Sequence, residues 1–326
     1  MNIKEITGRS LSTSNRMLAQ EAHERGITFE ILPSKRFKMS YGKKSYIIRG
    51  GKISTAYNTR LATKLTKYKN ATGNLLRGMG YSAPENAIFS KNQADRAWKW
   101  AEDILPVVLK PNDGIMGKLV FVKIDTYDEF KSCFEKIAEV RDEILIEKFI
   151  EGEEYRFTFV KNDIVAIAKR VPANVIGDGL HNIEELIAAK NEQRAQRKNP
   201  LHKKLDTGEE SERVLKKQNF SFKDIPKKDE VVYLRNNSNV STGGDAVDVT
   251  DDISPELKET VRKAILAIPG LRVCGVDVLI NEEDYHILEI NSHAMLTMHH
   301  FPWEGEEREV VSKVIDGMFP ESLKNE

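Results

Sequence analysis

With 326 residues, 40% hydrophobic and 31% charged, the chain has material for two or three lobes with cores of their own. Its 50 basic and 50 acidic residues cancel, so no bulk field draws it to nucleic acid or to an anionic membrane. No apolar run approaches the ~20 residues of a membrane span, the start Met1-Asn-Ile-Lys-Glu5 lacks a signal-peptide core, and the distant Cys133 and Cys274 suit a reducing compartment more than a disulfide framework.

A cytoplasmic protein is therefore expected. In chain order, Thr13 and Ser14 offer caps for a helix through Met17, Leu18 and Ala22 that stops at Gly26, and 27–32 reads as a strand. A second strand, 45–48, ends at Gly50-Gly51. A helix runs from about Thr72 to Met79, closed by Gly80. The middle of the chain alternates: helix 93–104 with Trp98 and Trp100, strand 106–110, a Gly-containing loop, strand 119–124, helix 127–140, strand 143–147. The runs 155–160 and 164–168 flank a polar turn and signal a hairpin, and Asn182 with Glu185 resembles a capping box for a helix to about Arg197. From Gln193 to Asp229 charge dominates, which predicts a solvated excursion with a helix over 209–217 and no domain boundary. No internal repeat is visible.

The chemistry concentrates in five places. The runs 275–280 and 286–291 read as a hairpin that sets Asp277, Glu289 and Asn291 near one end, the last two on one face. Three oxygen donors on one face suit a hard cation shared with phosphates; a solvated hairpin satisfies the same spacing. The loop Lys110-Pro-Asn-Asp-Gly114-Ile-Met-Gly117 would let backbone N–H groups approach phosphate, with Lys110 reaching the same oxygens, although it is no Walker A loop and a plain turn fits it too. Glu147 to Phe149 could offer a donor and acceptor edge to a purine and Glu154 a carboxylate to a ribose, or the stretch is a charged linker. Lys169-Arg170 end a strand, as solvated edge cations also do. The polar, Gly-rich run from Arg235 through Asn239, Ser241, Thr242, Gly243 and Gly244 to Asp245 suits carboxylate or phosphate, with Arg235 as a fixed charge. His293, His299 and His300 lack the partners of a zinc site; a substrate-lining role suits His293 or His299 better.

Taken in order, Tyr68-Lys69-Asn-Ala-Thr72, Lys110-Pro-x-x-Gly114-x-x-Gly117, Glu147 with Glu154 and Arg156, Lys169-Arg170-Val-Pro-Ala-Asn-Val-x-Gly-Asp-Gly179, Leu234-Arg-Asn-Asn-Ser-Asn-Val-Ser-Thr-Gly-Gly-Asp245, Gly275-Val-Asp277 and Glu289-Ile-Asn291 resemble the ATP-grasp superfamily. The chain is most similar to the ligase domains of cyanophycin synthetase and of bifunctional bacterial glutathione synthetase, from about residue 10 to Pro320. The resemblance implies an α/β (α+β) ATP-grasp fold: a short N-terminal α/β segment over 1–64, a lid subdomain over 65–148, and over 149–326 a second subdomain with the metal site, the two clamping ATP. It implies an ADP-forming, ATP-dependent carboxylate–amine ligase working through an acyl-phosphate on amino acids or short peptides; a phosphotransferase and a non-catalytic nucleotide-binding protein are the alternatives. Lys69, Lys110, Gly114 and Gly117 would meet the phosphates, Glu147 and Phe149 the adenine, Glu154 the ribose. Asp277, Glu289 and Asn291 would hold two Mg²⁺, with Mn²⁺ admissible. Arg235, Lys169 and Arg170 would act on the transferred phosphoryl, and Arg156, Asn239, Ser241, Thr242, Gly243 and His293 on substrate. Partners would be a small carboxylate and an amine, without nucleic acid or membrane; a homodimer is one assembly open to it. Two departures stand out: Lys118 where the phosphate loop usually has a further glycine, and Ser292-His-Ala-Met295 where a Pro-Gly-like turn usually follows the metal hairpin.

Overall fold

The structure, a computed structural model, describes residues 11–113, 119–197, 199–282 and 284–322. In chain order it comprises α1 (Thr13–Glu24), β1 (Thr28–Leu32), β2 (Arg36–Tyr41), β3 (Lys44–Arg49), α2 (Ser54–Tyr57), α3 (Arg60–Leu65), α4 (Lys69–Gly78), β4 (Asn86–Ser90), α5 (Ala94–Ala101), β5 (Val107–Pro111), β6 (Phe121–Ile124), α6 (Tyr127–Ala138), β7 (Glu143–Lys148) and β8 (Glu153–Val160). It continues through β9 (Asp163–Val171), β10 (Asn174–Ile176), α7 (Ile183–Arg197), α8 (Glu209–Lys217), β11 (Val231–Tyr233), β12 (Asp245–Asp248), α9 (Pro255–Leu266), β13 (Val273–Ile280), β14 (Tyr285–Asn291), α10 (Thr297–His300) and α11 (Val310–Met318). The mixed α/β class read from the sequence holds.

Two compact units emerge, one of residues 1–165, 253–295 and 311–326, the other of 166–252 and 296–310. The first contains the antiparallel meander β1-β2-β3 and an antiparallel four-stranded sheet of order β4-β7-β5-β6. Apolar faces of α5 and α6 cover that sheet: Ala97, Phe130, Phe134 and Ile137 pack with Val107, Leu109, Ile144 and Ile146. In the same unit β13 lies between β8 and β14, so both its edges are paired, and its first six residues are buried. Such a strand reads as a continuous apolar run, which makes the acid at Asp277 conspicuous.

The second unit holds β12 paired with the distal part of β9, the short hairpin-like pair β10-β11, and α7 and α8. Here the expected solvated excursion needs correction. Leu205 and Leu215 join Ala173, Val175, Ile183, Ile187, Val232 and Leu234 in a core of their own. The charges of the segment had hidden these few widely spaced apolar positions. The predicted capping box is present: Asn182 Oδ1 accepts from the Glu185 N–H at 3.0 Å and Glu185 Oε2 from the Asn182 N–H at 2.9 Å. At α1 the N-cap is Ser12, one residue before the expected Thr13 and Ser14, and its side chain makes no capping bond. Strands β2, β4, β10 and β12 and helices α2, α3, α9, α10 and α11 had no sequence forecast. Most are short elements whose period is set by packing more than by composition; α9, with its Ser254 cap and Pro255 in the first turn, carried a local signal.

Candidate functional site

In the first unit the register of β13 brings the predicted metal residues together. Asp277 is paired with Glu289 on β14 and with Arg156 on β8, and Gly275 stands opposite Asn291. Arg156 clamps Asp277 with two bonds, Nε to Oδ1 at 2.5 Å and Nη2 to Oδ2 at 2.9 Å. A Cβ on Gly275 would lie 2.8 Å from the Arg156 Cδ, so glycine there makes room for the arginine. The Asn291 amide also donates to Asp277 Oδ2, at 3.1 Å. Glu289 faces the first residue of α4: Lys69 Nζ is 3.3 Å from its Oε2. Lys110, at the end of β5, pairs with Glu147 on the adjacent strand β7, and both are buried.

These pairs form one electrostatic group. Burial works against the Lys110 charge, yet Glu147, Glu289 and Asp277 together hold its pKa above the ordinary lysine value. Burial likewise opposes the Arg156 charge, and Asp277, Glu154 and Glu289 outweigh it. Lys69, Lys110, Glu147, Glu154, Arg156, Asp277, Glu289 and Asn291 are thus neighbours. Among the described residues no group of three or more His, Cys, Asp or Glu side chains is placed to hold a metal ion. The predicted set has two carboxylates and an amide. This all-oxygen donor set fits Mg²⁺, which takes one or two protein carboxylates and completes its shell with phosphate oxygens and water.

Gly114 and Gly117 lie outside the described residues. The Phe149 N–H donates to the Pro106 carbonyl at 2.9 Å and that of Lys148 to the Glu85 carbonyl at 2.9 Å, so these two donors of the expected purine edge are engaged within the protein. His293, two residues beyond Asn291, bonds through Nδ1 to the buried Ser54 hydroxyl, and burial with Lys52 nearby pushes its pKa down.

The second unit holds the other predicted group. Arg235 is not an open cation: Nη2 is 2.8 Å from Asp206 Oδ2 and Nη1 2.6 Å from Glu210 Oε2. Lys169 and Arg170 pair with Val247 and Ala246 across β9–β12. Arg170 is buried and donates to the Ser238 carbonyl at 3.3 Å and to Asn239 Oδ1 at 2.6 Å, so it holds the polar loop from behind. Ser241 and Thr242 are exposed on that loop, and Gly243 takes φ +101°, which L side chains rarely adopt.

Several residues escaped the sequence reading. Asn112 accepts the Asn70 N–H through Oδ1 at 3.3 Å and the Lys69 N–H through its carbonyl at 3.4 Å, tying the start of α4 to the loop after β5. Within Pro-Asn-Asp it reads as a turn residue. Ser54 gave no signal at all. Lys190, Arg194 and Arg197 recur at the spacing of one helical face, a pattern that looks solvated until its partners Asp245 and Trp303 are known.

The ATP-grasp domain family matches residues 66–295. The glutathione biosynthesis bifunctional protein GshAB of Clostridium perfringens is 34% identical over 95% of this chain and 41% of that protein. Its namesake in Enterococcus faecalis is 30% identical over 97% of this chain and 44% of that protein. A solved bifunctional glutathione synthetase from Pasteurella multocida superposes with a TM-score of 0.67 and 29% identity, covering 94% of this chain and 43% of that one. A D-alanine–D-alanine ligase from Bacillus anthracis, at 18% identity and a TM-score of 0.51 over 81% of this chain and 70% of its own, shares the fold. The chain therefore spans less than half the length of the curated relatives it matches. No helix among the described residues is long and apolar enough to cross a membrane.

Proposed function

We propose that this chain, which belongs to the ATP-grasp family, is a cytoplasmic, ADP-forming carboxylate–amine ligase that joins an amino acid or short peptide to an amine. ATP-grasp ligases use ATP and Mg²⁺; two ions, with Mn²⁺ accepted in their place, belong to the proposal, as does the division into a nucleotide-covering piece at 65–148 and a metal-bearing piece at 149–326. The observation that carries the reading is the group of paired charges in the first unit: Lys110 with Glu147, Lys69 with Glu289, Arg156 with Asp277. Stored beside one another, these charges are what a triphosphate and its cation require.

On binding, the ion pairs exchange partners. Lys110 and Lys69 turn from Glu147 and Glu289 to phosphate oxygens, which frees the Glu289 carboxylate. Arg156 keeps Asp277 oriented during the exchange, and Asn291 restrains its second oxygen. Asp277, Glu289 and Asn291 would hold Mg²⁺, which would neutralise charge on the phosphates. The substrate carboxylate oxygen attacks the γ-phosphorus and ADP leaves. The amine nitrogen then attacks the acyl carbon of the acyl-phosphate, inorganic phosphate departs, and the nitrogen loses a proton. Little covalent chemistry falls to side chains; their contribution is charge neutralisation and exclusion of water. Glu154 serves the ribose. In the second unit Arg235, once Asp206 and Glu210 yield it, and Lys169 are the cations offered to the transferred phosphoryl, while buried Arg170, first expected beside them, holds the loop at Ser238 and Asn239 instead. In the same unit Asn239, Ser241, Thr242 and Gly243 are the groups for the acid, and His293 is the first unit's own candidate for contact with substrate.

The relatives' names speak for amino-acid or peptide substrates: one acts in glutathione biosynthesis, another joins D-alanine to D-alanine. The test is a screen of amino acids and dipeptides for ATP-dependent ADP release, followed by trapping with hydroxylamine. A hydroxamate that requires ATP, Mg²⁺ and the cognate acid is expected. ADP release with a phosphorylated product and neither hydroxamate nor amide would replace the ligase reading by a phosphotransferase.

A further inference from the structure

Behind the loop 236–244, within the second unit, lies a set of buried charges to which neither the family resemblance nor the proposed mechanism gives a role. Asp245 is 3% exposed. Its Oδ1 accepts from Arg194 Nη2 at 2.6 Å and its Oδ2 from Lys190 Nζ at 2.7 Å. The two cations stand one turn apart on α7, on the face that also carries Arg197. Trp303 lies against all three, its ring centroid 4.0 Å from the Arg197 guanidinium carbon, 5.5 Å from that of Arg194 and 5.5 Å from Lys190 Nζ. Planar guanidinium against an indole face is a favourable and orienting contact.

Arg194 reaches beyond the ion pair. The same Nη2 donates to the Gly243 carbonyl at 2.9 Å, and Nη1 donates to the Lys203 carbonyl. Gly243 is the left-handed residue of the loop, and Gly244 is walled in: a Cβ there would meet the Val171 carbonyl at 2.8 Å and those of Asn239 and Ser238 at 3.0 Å. Arg170 grips the other end of the loop at Ser238 and Asn239. Two buried arginines thus fix carbonyls at both ends of a loop whose Ser241 and Thr242 are exposed between them.

We infer that Arg194 and Asp245 are positioning residues for the substrate loop, their buried pair setting the Gly243–Gly244 turn and with it the place of Ser241 and Thr242. Lys190 holds the other oxygen of Asp245, and Trp303 lies against the Arg194 guanidinium. A side-chain displacement of about 1 Å at a reacting centre costs up to about a hundredfold, so a loosened turn is felt by the acid and not by the nucleotide. The inference rests on the ligase reading for what the loop binds, and not for how the loop is held.

The test compares wild type with Asp245→Asn and Arg194→Lys by steady-state kinetics and by hydrogen exchange of the amides over 236–244. Asp245→Asn is expected to raise the KM for the acid at least about tenfold, with the KM for ATP within about twofold, and to speed exchange in the loop. Arg194→Lys keeps the charge and loses the bond to Gly243, so it should give the same KM split and the same faster exchange even where Asp245→Asn folds poorly. Wild-type exchange in the loop of either folded variant, or equal rises in both KM values, overturns the inference. If wild-type protein turns over no acid at all, the ligase reading fails, and the exchange data alone still decide how the loop is held.

Discussion

Replacing Lys110 by methionine probes the charge group where it is most buried. The side chain keeps its length and loses its charge, which leaves the Glu147 carboxylate, 4% exposed, without its closest cation. Breaking one side of such a pair costs about 3–5 kcal/mol, because the remaining charge stays out of water. Lys69 and Arg156 still serve Glu289 and Asp277, so the lower end, about 3 kcal/mol, is expected. The double variant Lys110→Met, Glu147→Gln removes both charges and should recover about 2 kcal/mol of that loss, a coupling typical of residues in direct contact. Urea unfolding of wild type, both single variants and the double variant closes the cycle. Because Lys110 has a folded pKa above its unfolded one, its contribution is complete below the unfolded value and is lost only as pH climbs through the raised one; the coupling is therefore flat across the neutral range. Additive effects, with the double variant as unstable as the sum of the singles, would refute the buried pair. Both variants that lack Lys110 should also lose ATP binding by calorimetry while keeping the fold.

Two further outcomes are expected. Burial pushes the His202 pKa from the ordinary 6.5 down to about 4, with Asp245 opposing and Arg194, Lys190 and Arg197 reinforcing. Its folded value is depressed, so stability is intact above the unfolded pKa and falls as the unfolded state takes up the proton from about 6.5 to 4, by about 3 kcal/mol in all. His202→Gln should flatten that part of the acid limb in urea midpoints measured against pH, and an unchanged slope would show the imidazole to be solvated. At the start of α7, Asn182→Ala removes one half of the capping box and should lower stability by about 1 kcal/mol, with no change in ADP release.

Much of the candidate site was legible because it follows local rules. The two-residue spacing of Glu289 and Asn291 fixes a shared face on any strand, and the antiparallel pairing of neighbouring runs brings them to Asp277. Lys110 at a strand end, the box at Asn182 and Glu185, and the helix over Glu209–Lys217 were likewise readable from neighbours in the chain. Glycine was legible as a marker only: Gly275 announces itself in Gly-Val-Asp, and the Arg156 side chain that requires it comes from a strand more than a hundred residues earlier.

What the chain alone determined, then, is which residue types meet at short range, and the family they resemble. Only the tertiary structure decided which charges are paired and which are buried. Lys69 meets Glu289 across 220 positions of sequence, Arg194 meets Asp245 across 51, and Arg235 is held by two acids from a segment that composition marks as solvent-facing. The reason is physical. Periodicity encodes the face on which a side chain lies, since that depends on local dihedral angles. A charge's worth depends instead on its distance from other charges and from water, and the packing of remote segments sets both.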